Sequence, residues 1–320
     1  MPKPAGTITV EDLVRFGNLE LLARKVVEGF ITGLHKSPYH GFSVEFAEHR
    51  SYNPGEPIRH IDWKLYGRTD KLFIKKFEDE TNLRARLIVD VSGSMYYPFE
   101  KWESVSVNKV TYAALAAASL ADLLQRQRDA VGLSLVDDRI RFHAPARSSR
   151  VHLRHLFSVL EDYVKRPPSE TRYATTLPQH LHEIAESIHR RSLIILFSDL
   201  MTGIGSNLPL REALEPLFSA LGHLVFCKHE VILFHVVDAA TELNLSFDNR
   251  PYEFEDAETG EKLRLNPVEI QHVYQEQASR FQTLMKGECA NMGVDFHQVD
   301  VRTDLQEILM TFLVRRQKMF

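Results

Sequence analysis

Short apolar runs alternating with long stretches of helical periodicity do most to limit what this chain can fold into. Runs at 84–90, 131–136, 193–198, 230–237 and 294–299 are dense in Val, Ile, Leu and Phe. Their length and β-prone composition predict buried strands. Between them, apolar residues recur at helical spacing. Val107, Val110, Ala114, Ala117, Ala118, Ala121 and Leu124 mark one face of a long helix. Further helices are predicted from Val151 to Tyr163, Thr176 to His189, Leu210 to Leu224, Pro267 to about Lys286, and Thr303 to about Arg316. Pro178 falls in a first turn, where proline is tolerated. Arg139–His143, after Asp137-Asp138, is predicted to be a hairpin partner of the second strand. Such alternation implies an α/β fold with a doubly wound, mostly parallel sheet.

The first strand runs into Asp90-Val91-Ser92-Gly93-Ser94-Met95. While the chain stays extended, alternate residues share a face, so Asp90, Ser92 and Ser94 can point to one side. One carboxylate and two hydroxyls form a hard, weakly charged oxygen half-site of the kind Mg²⁺ takes. In sheets of this class, ligands bind outside the C-terminal strand ends, where loops from separate strands converge. Asp199, after Leu193–Phe197, stands at another such end, and Thr175 or Thr176 precedes a helix in between. The alternative is structural: Asp90, Ser92 and Asp199 would cap turns and hold no metal.

Asp-x-Ser-x-Ser after an apolar strand resembles the metal-ion-dependent adhesion site of von Willebrand factor A domains. Upstream, Tyr52, Pro54-Gly55-Glu56, Arg59, Ile61-Asp62-Trp63-Lys64 and Gly67-Arg68 resemble the signature of the bacterial domain-of-unknown-function fifty-eight family. The resemblance spans roughly residues 35 to 240. The family commonly has Asp where this chain has Glu56, and Ala where it has Gly67. The resemblance implies a von Willebrand factor A-like, Rossmann-like domain. It also implies Mg²⁺ (or Mn²⁺) ligated by the hydroxyls of Ser92, Ser94 and Thr175, with Asp90 and Asp199 acting mainly through waters. One coordination position is then left for a partner's carboxylate. Members often accompany MoxR-type AAA+ ATPases, so such an ATPase is the implied partner.

The other features frame this domain. Residues 1–80 are expected to hold a loose tail to residue 10, then two short helices between Val10 and Phe30 interrupted at Gly17-Asn18. A β-rich accessory segment follows, with Ser43–Phe46 and Leu72–Ile74 as strands and Asn53–Glu56 as a turn. Residues 81–320 form the main domain. A β-hairpin insertion is predicted at about 241–266, pairing Tyr252–Phe254 with Lys262–Leu265. Cys227 and Cys289 form no CxxC motif, which suits free thiols in a reducing cytoplasm. No apolar run approaches a membrane span, and the N-terminus lacks a signal-peptide pattern. A net charge of −4 argues against a nucleic-acid binder relying on phosphate neutralisation.

Other candidate sites are weaker. Arg59, His60, Lys64, Arg68, Lys71, Lys75 and Lys76 form a basic segment that suits an acidic partner face or a nucleotide phosphate, with a solvated face as its structural reading. Within it, Arg59 and Arg68 are candidate partner contacts. Met95, Tyr96, Tyr97, Pro98, Met201 and Gly203 flank the metal loop, and Tyr96, Tyr97 and Met201 are the candidate partner-binding rim, with loop packing as their structural role. His182, Glu186 and His189, or His152 and His155, have helical spacing compatible with zinc but lack an HExxH motif. Gly203-Ile204-Gly205 lacks the third glycine of a dinucleotide loop. No catalytic constellation is evident. The leading expectation is a non-enzymatic, Mg²⁺-dependent protein-binding adaptor. The alternatives are a metal-dependent hydrolase at the same site and a structural module with a vestigial one.

Overall fold

The computed structural model describes residues 18–36, 49–51, 66–68, 70, 72–75, 83–98, 108–165, 176–201, 208–257 and 259–318. The tail, the Ser43–Phe46 strand, the Asn53–Glu56 turn, Arg59, Thr175 and Gly203–Gly205 lie outside these residues. Helix α1 spans Leu19–Lys36. It starts at the expected interruption, where the Asn18 side chain accepts from Leu21 N at 2.9 Å, and it runs six residues past the expected end at Phe30; the shorter helix expected before Gly17 lies outside the described residues. Strands β1 (His49–Ser51) and β2 (Phe73–Lys75) pair antiparallel.

The remaining elements form the main unit. They are β3 (Arg84–Asp90), α2 (Lys109–Arg126), β4 (Ala130–Val136), β5 (Ile140–Arg147), α3 (Arg150–Lys165) and α4 (Leu177–Ser187). They continue with β6 (Leu193–Ser198), α5 (Leu210–Phe226), β7 (Glu230–Val237), β8 (Tyr252–Glu255) and β9 (Lys262–Leu265). Helix α6 (Pro267–Met292), β10 (Asp295–Asp300) and α7 (Gln306–Lys318) close the chain.

Six strands form one sheet in the order β10-β7-β6-β3-β4-β5. All pairs are parallel except β4–β5. The expected hairpin partner is thus an antiparallel edge strand, and the insertion forms the separate hairpin β8–β9. The fold is α/β, as the alternation implied. Strands β3, β6 and β7 are buried along almost their whole length because helices cover both faces. One face carries α4, α5 and α6 on Ile88, Val136, Ile194, Leu196, Val231 and Leu233. The small residues of α2 are buried almost all round, so that helix lies in the interior and not on its surface.

The contacts divide the chain into one compact unit of residues 1–30 and 83–320 and another of Ile31–Asn82. The sequence expectation grouped all of residues 1–80 together. Leu19 to Phe30 go instead with the sheet, because Leu19, Leu22, Ala23, Val26, Val27 and Phe30 are buried and Glu28 meets Arg126 of α2 at 3.4 Å.

Arg86 is a charged residue within the buried central strand β3. Its register partner on β4 is Gly132, and a Cβ there would stand 2.8 Å from the guanidinium carbon. Glycine therefore lets the side chain cross β4 and donate to Leu133 O (3.3 Å) and Ala144 O at a bulge in the β4–β5 ladder.

Candidate metal and partner-binding site

Strand order places β3 beside β6, with the chain leaving β3 toward β4 on one side and β6 toward β7 on the other. That is a topological switch point, and both C-terminal strand ends there carry an aspartate. Asp90 is fully buried. Its Oδ1 accepts from Ser92 N at 2.9 Å, and its Oδ2 accepts from Ser198 Oγ at 2.6 Å. Ser198 Oγ in turn accepts from Leu200 N at 2.9 Å. Ser92 Oγ lies 3.2 Å from Ser94 Oγ, so the alternate hydroxyls do share a face. The loop closes in a single 3₁₀ turn, Gly93–Tyr96. A Cβ on Gly93 would come within 2.9 Å of the Ala257 carbonyl, so the inserted hairpin passes directly over the loop.

Asp199 is also fully buried, and its neighbourhood is different. Its Oδ2 accepts from Lys109 Nζ at 2.7 Å, and Lys109 also donates to Glu242. Lys109 itself is fully buried. Burial alone would lower its pKa, but Asp199 and Glu242 outweigh burial and the net shift is upward. Glu242 sits in a π-turn, Ala239–Leu243, and its other carboxylate oxygen accepts from Asp238 N at 2.7 Å. Asp238 is in turn paired with Arg302 at 2.9 Å. His235 Nε2 lies 3.1 Å from Asp199 O, and burial pushes that imidazole down to about 4.

Asp90 has no cationic partner among the described residues. Burial, with a further contribution from Asp199, pushes its carboxyl up to about 6 despite the hydrogen bonds from Ser198 and Ser92. A buried carboxylate beside two hydroxyls, held only by neutral donors, fits a hard divalent cation in charge and in donor chemistry. Asp90, Ser92 and Ser94 are the residues that would hold it, with Asp199 offering the oxygen that Lys109 leaves. Among the described residues, no three His, Cys, Asp or Glu side chains are gathered that could hold a metal ion by themselves, so hydroxyls would have to supply part of any shell here.

The other candidates divide. Thr176, the alternative to Thr175, is committed elsewhere: its Oγ1 meets Asp138 O at 3.0 Å and His180 Nε2 at 2.8 Å, beyond β4. Tyr96 and Met95 are buried and serve packing, which removes them from a contact rim. Tyr97, Pro98 and Met201 remain partly exposed, as a rim requires, and Arg68 is exposed. The Tyr97 ring lies 5.8 Å from Lys109 Nζ. His182 pairs with His223 on α5, and not with Glu186 or His189. His152 meets Val131 O at 2.9 Å, while His155 packs edge-on against Phe142.

Sequence reasoning passed over Lys109 and Glu242. Lys109 was legible as a lone charge opening a helix in which the next charge is Asp122. Glu242 had no such signal, because its role depends on the π-turn.

The curated relatives include the uncharacterized proteins Rv1480 of Mycobacterium tuberculosis and Mb1516 of Mycobacterium bovis. Each is 24% identical over 220 residues, covering 69% of this chain and 63% of the relative, so the chain spans less than two thirds of their length. Partial structural likenesses include BatB from Bacteroides thetaiotaomicron, at 13% identity and a TM-score of 0.42, covering 74% of this chain and 99% of that one. The VWA domain of SpRpn10 matches at 9% identity and a TM-score of 0.35, covering 71% and 94%. The family model for the protein of unknown function DUF58 matches residues 48–283, and the chain belongs to that family.

Proposed function

We propose that this protein is a non-enzymatic, Mg²⁺-dependent adaptor that grips an acidic partner segment at the β3–β6 end of its sheet, and that the partner is a MoxR-type AAA+ ATPase. The observation that carries this reading is Asp90: a fully buried carboxylate with neutral hydrogen-bond donors and no cation among the described residues. Mg²⁺ bound there would supply a positive charge that the hydroxyls of Ser92 and Ser94 leave largely unneutralised. An incoming Asp or Glu is then attracted by a charge-assisted contact. Tyr97 and Met201 supply the partly exposed rim. Hydrolysis at such a metal requires a base beside it. His235, the imidazole that meets Asp199, is buried and turns Nε2 to a backbone carbonyl. No described helix is long and apolar enough to cross a membrane, and we place the adaptor in the cytoplasm on the strength of its two free thiols.

A second reading has its own observation. Lys109 already neutralises Asp199 and Glu242, which makes it a resident cation for half of the site. In that reading the loop is structural and takes no metal.

A pull-down of a MoxR-type ATPase with Mg²⁺, with EDTA, and with Asp90→Ala decides between them, run beside a phosphatase and peptidase screen. Capture that needs both Mg²⁺ and Asp90 supports the adaptor. Capture indifferent to both supports the structural reading. Metal-dependent turnover lost in Asp90→Ala would make the protein a hydrolase.

A further inference from the structure

Away from the strand-end loops, α4 and α5 face each other through an unusual pair. His182 Nδ1 on α4 lies 2.9 Å from His223 Nδ1 on α5, with ring centroids 5.1 Å apart and planes tilted by 38°. Both imidazoles are half-buried. One of the two nitrogens must carry the proton and the other accept it, so a single exchangeable proton holds the contact together. Cys227, one helical turn beyond His223, is a free, half-buried thiol. His229, buried just before β7, lies within electrostatic range of His223. No third such side chain converges on the pair among the described residues.

We infer that His182 and His223 form a two-imidazole chelating site for a borderline first-row divalent cation, Ni²⁺ or Cu²⁺, that ties α4 to α5. The spacing is the reason. Metal–nitrogen bonds of about 2.0–2.1 Å meeting at a right angle put two ligand nitrogens about 2.9 Å apart, and at a tetrahedral angle about 3.3 Å apart. The observed 2.9 Å therefore matches the separation of adjacent positions of a tetragonal or octahedral ion, and turning the two rings would bring both Nδ1 lone pairs onto it. A tetrahedral zinc ion requires the pair to open by about 0.4 Å. Imidazole nitrogen also suits Cu²⁺ and Ni²⁺, whereas the all-oxygen cradle at Asp90 suits Mg²⁺. On metal binding the proton on the donor Nδ1 moves to the Nε2 of the same ring, so both imidazoles stay neutral and present an Nδ1 lone pair, and water completes the coordination. The two sites differ in ligand chemistry and in position, so this inference stands or falls independently of the proposed adaptor function.

The test is a calorimetric titration of the full chain with Ni²⁺ in saturating Mg²⁺. The wild-type protein is expected to show one tight site that weakens at least tenfold in His182→Gln and in His223→Gln. His189→Gln serves as a control, because His189 is exposed and turned to Arg190 O. Identical isotherms for the wild type and both pair variants overturn the inference and leave the contact as a hydrogen bond. Should either variant misfold by circular dichroism, electron paramagnetic resonance of the wild-type protein with one equivalent of Cu²⁺ decides. Superhyperfine coupling to two imidazole nitrogens supports the site, and coupling to one or none overturns it.

Discussion

Asp90 and Asp199 leave adjacent parallel strands at the same end of the sheet, and both are fully buried. They are accommodated in different ways. Asp199 shares a lysine with Glu242, so that side of the site carries its own cation. Asp90 is held by a backbone amide and a serine hydroxyl, and its charge is left to the outside. The difference shows how one switch point can combine a carboxylate held in an ion pair with a carboxylate held by neutral donors alone.

Breaking the permanent side has the largest expected effect. Lys109→Met leaves two buried carboxylates without their cation and should lower the unfolding free energy by about 3–5 kcal/mol, measured by urea denaturation. Adding Glu242→Gln should recover part of that loss, since one of the stranded charges is gone. A Lys109→Met protein as stable as the wild type would erase the distinction between the two aspartates.

The pH dependence sharpens the comparison. Asp90 is raised from 3.8 to about 6 in the folded protein, so between these values the folded state binds more protons than the unfolded state. Its contribution to stability therefore falls as pH rises through that window, by roughly 3 kcal/mol. His235 is lowered from 6.5 to about 4, so its contribution falls as pH drops through nearly the same window, by a similar amount. The two slopes oppose each other. Asp90→Asn removes one of them, and the variant should lose about 3 kcal/mol more than the wild type between pH 6.5 and pH 4. Equal acid profiles would mean that Asp90 is not desolvated as described.

A somewhat smaller effect is expected from the metal itself. Mg²⁺ at about a hundredfold excess over its Kd should add about 2.7 kcal/mol to the wild-type protein, read as a rise in Tm, and nothing to Asp90→Asn. The same addition should leave the Lys109–Asp199 pair in place. The smallest effect is Ser94→Ala. Ser94 is partly exposed and among the described residues its hydroxyl meets only Ser92, at 3.2 Å, so the metal-free protein should change by no more than roughly 1 kcal/mol. A reduced Mg²⁺ response in this variant would mark the hydroxyl as a ligand.

The sequence by itself determined the order of strands and helices, since periods of two and of about 3.6 are local properties of the chain. It also marked Asp90, Ser92 and Ser94 as a group, although Ser94 stands in the 3₁₀ turn Gly93–Tyr96, so the turn and not an extended segment brings its hydroxyl to Ser92. Element ends were less legible. Helix α6 runs to Met292, six residues beyond the expected Lys286, where Gly293 in the left-handed conformation ends it. Only the tertiary structure decided what each aspartate meets. Lys109 and Asp199 are 90 positions apart and Lys109 and Glu242 are 133 apart, and nothing local to any of them announces the partnership. Their meeting depends on β6 pairing with β3, on α2 entering the interior, and on a π-turn after β7 carrying Glu242 back over the strand ends. A hydrogen-bonding motif can be read along one segment, but the neutralisation of a buried charge is settled by whichever distant groups folding brings to it.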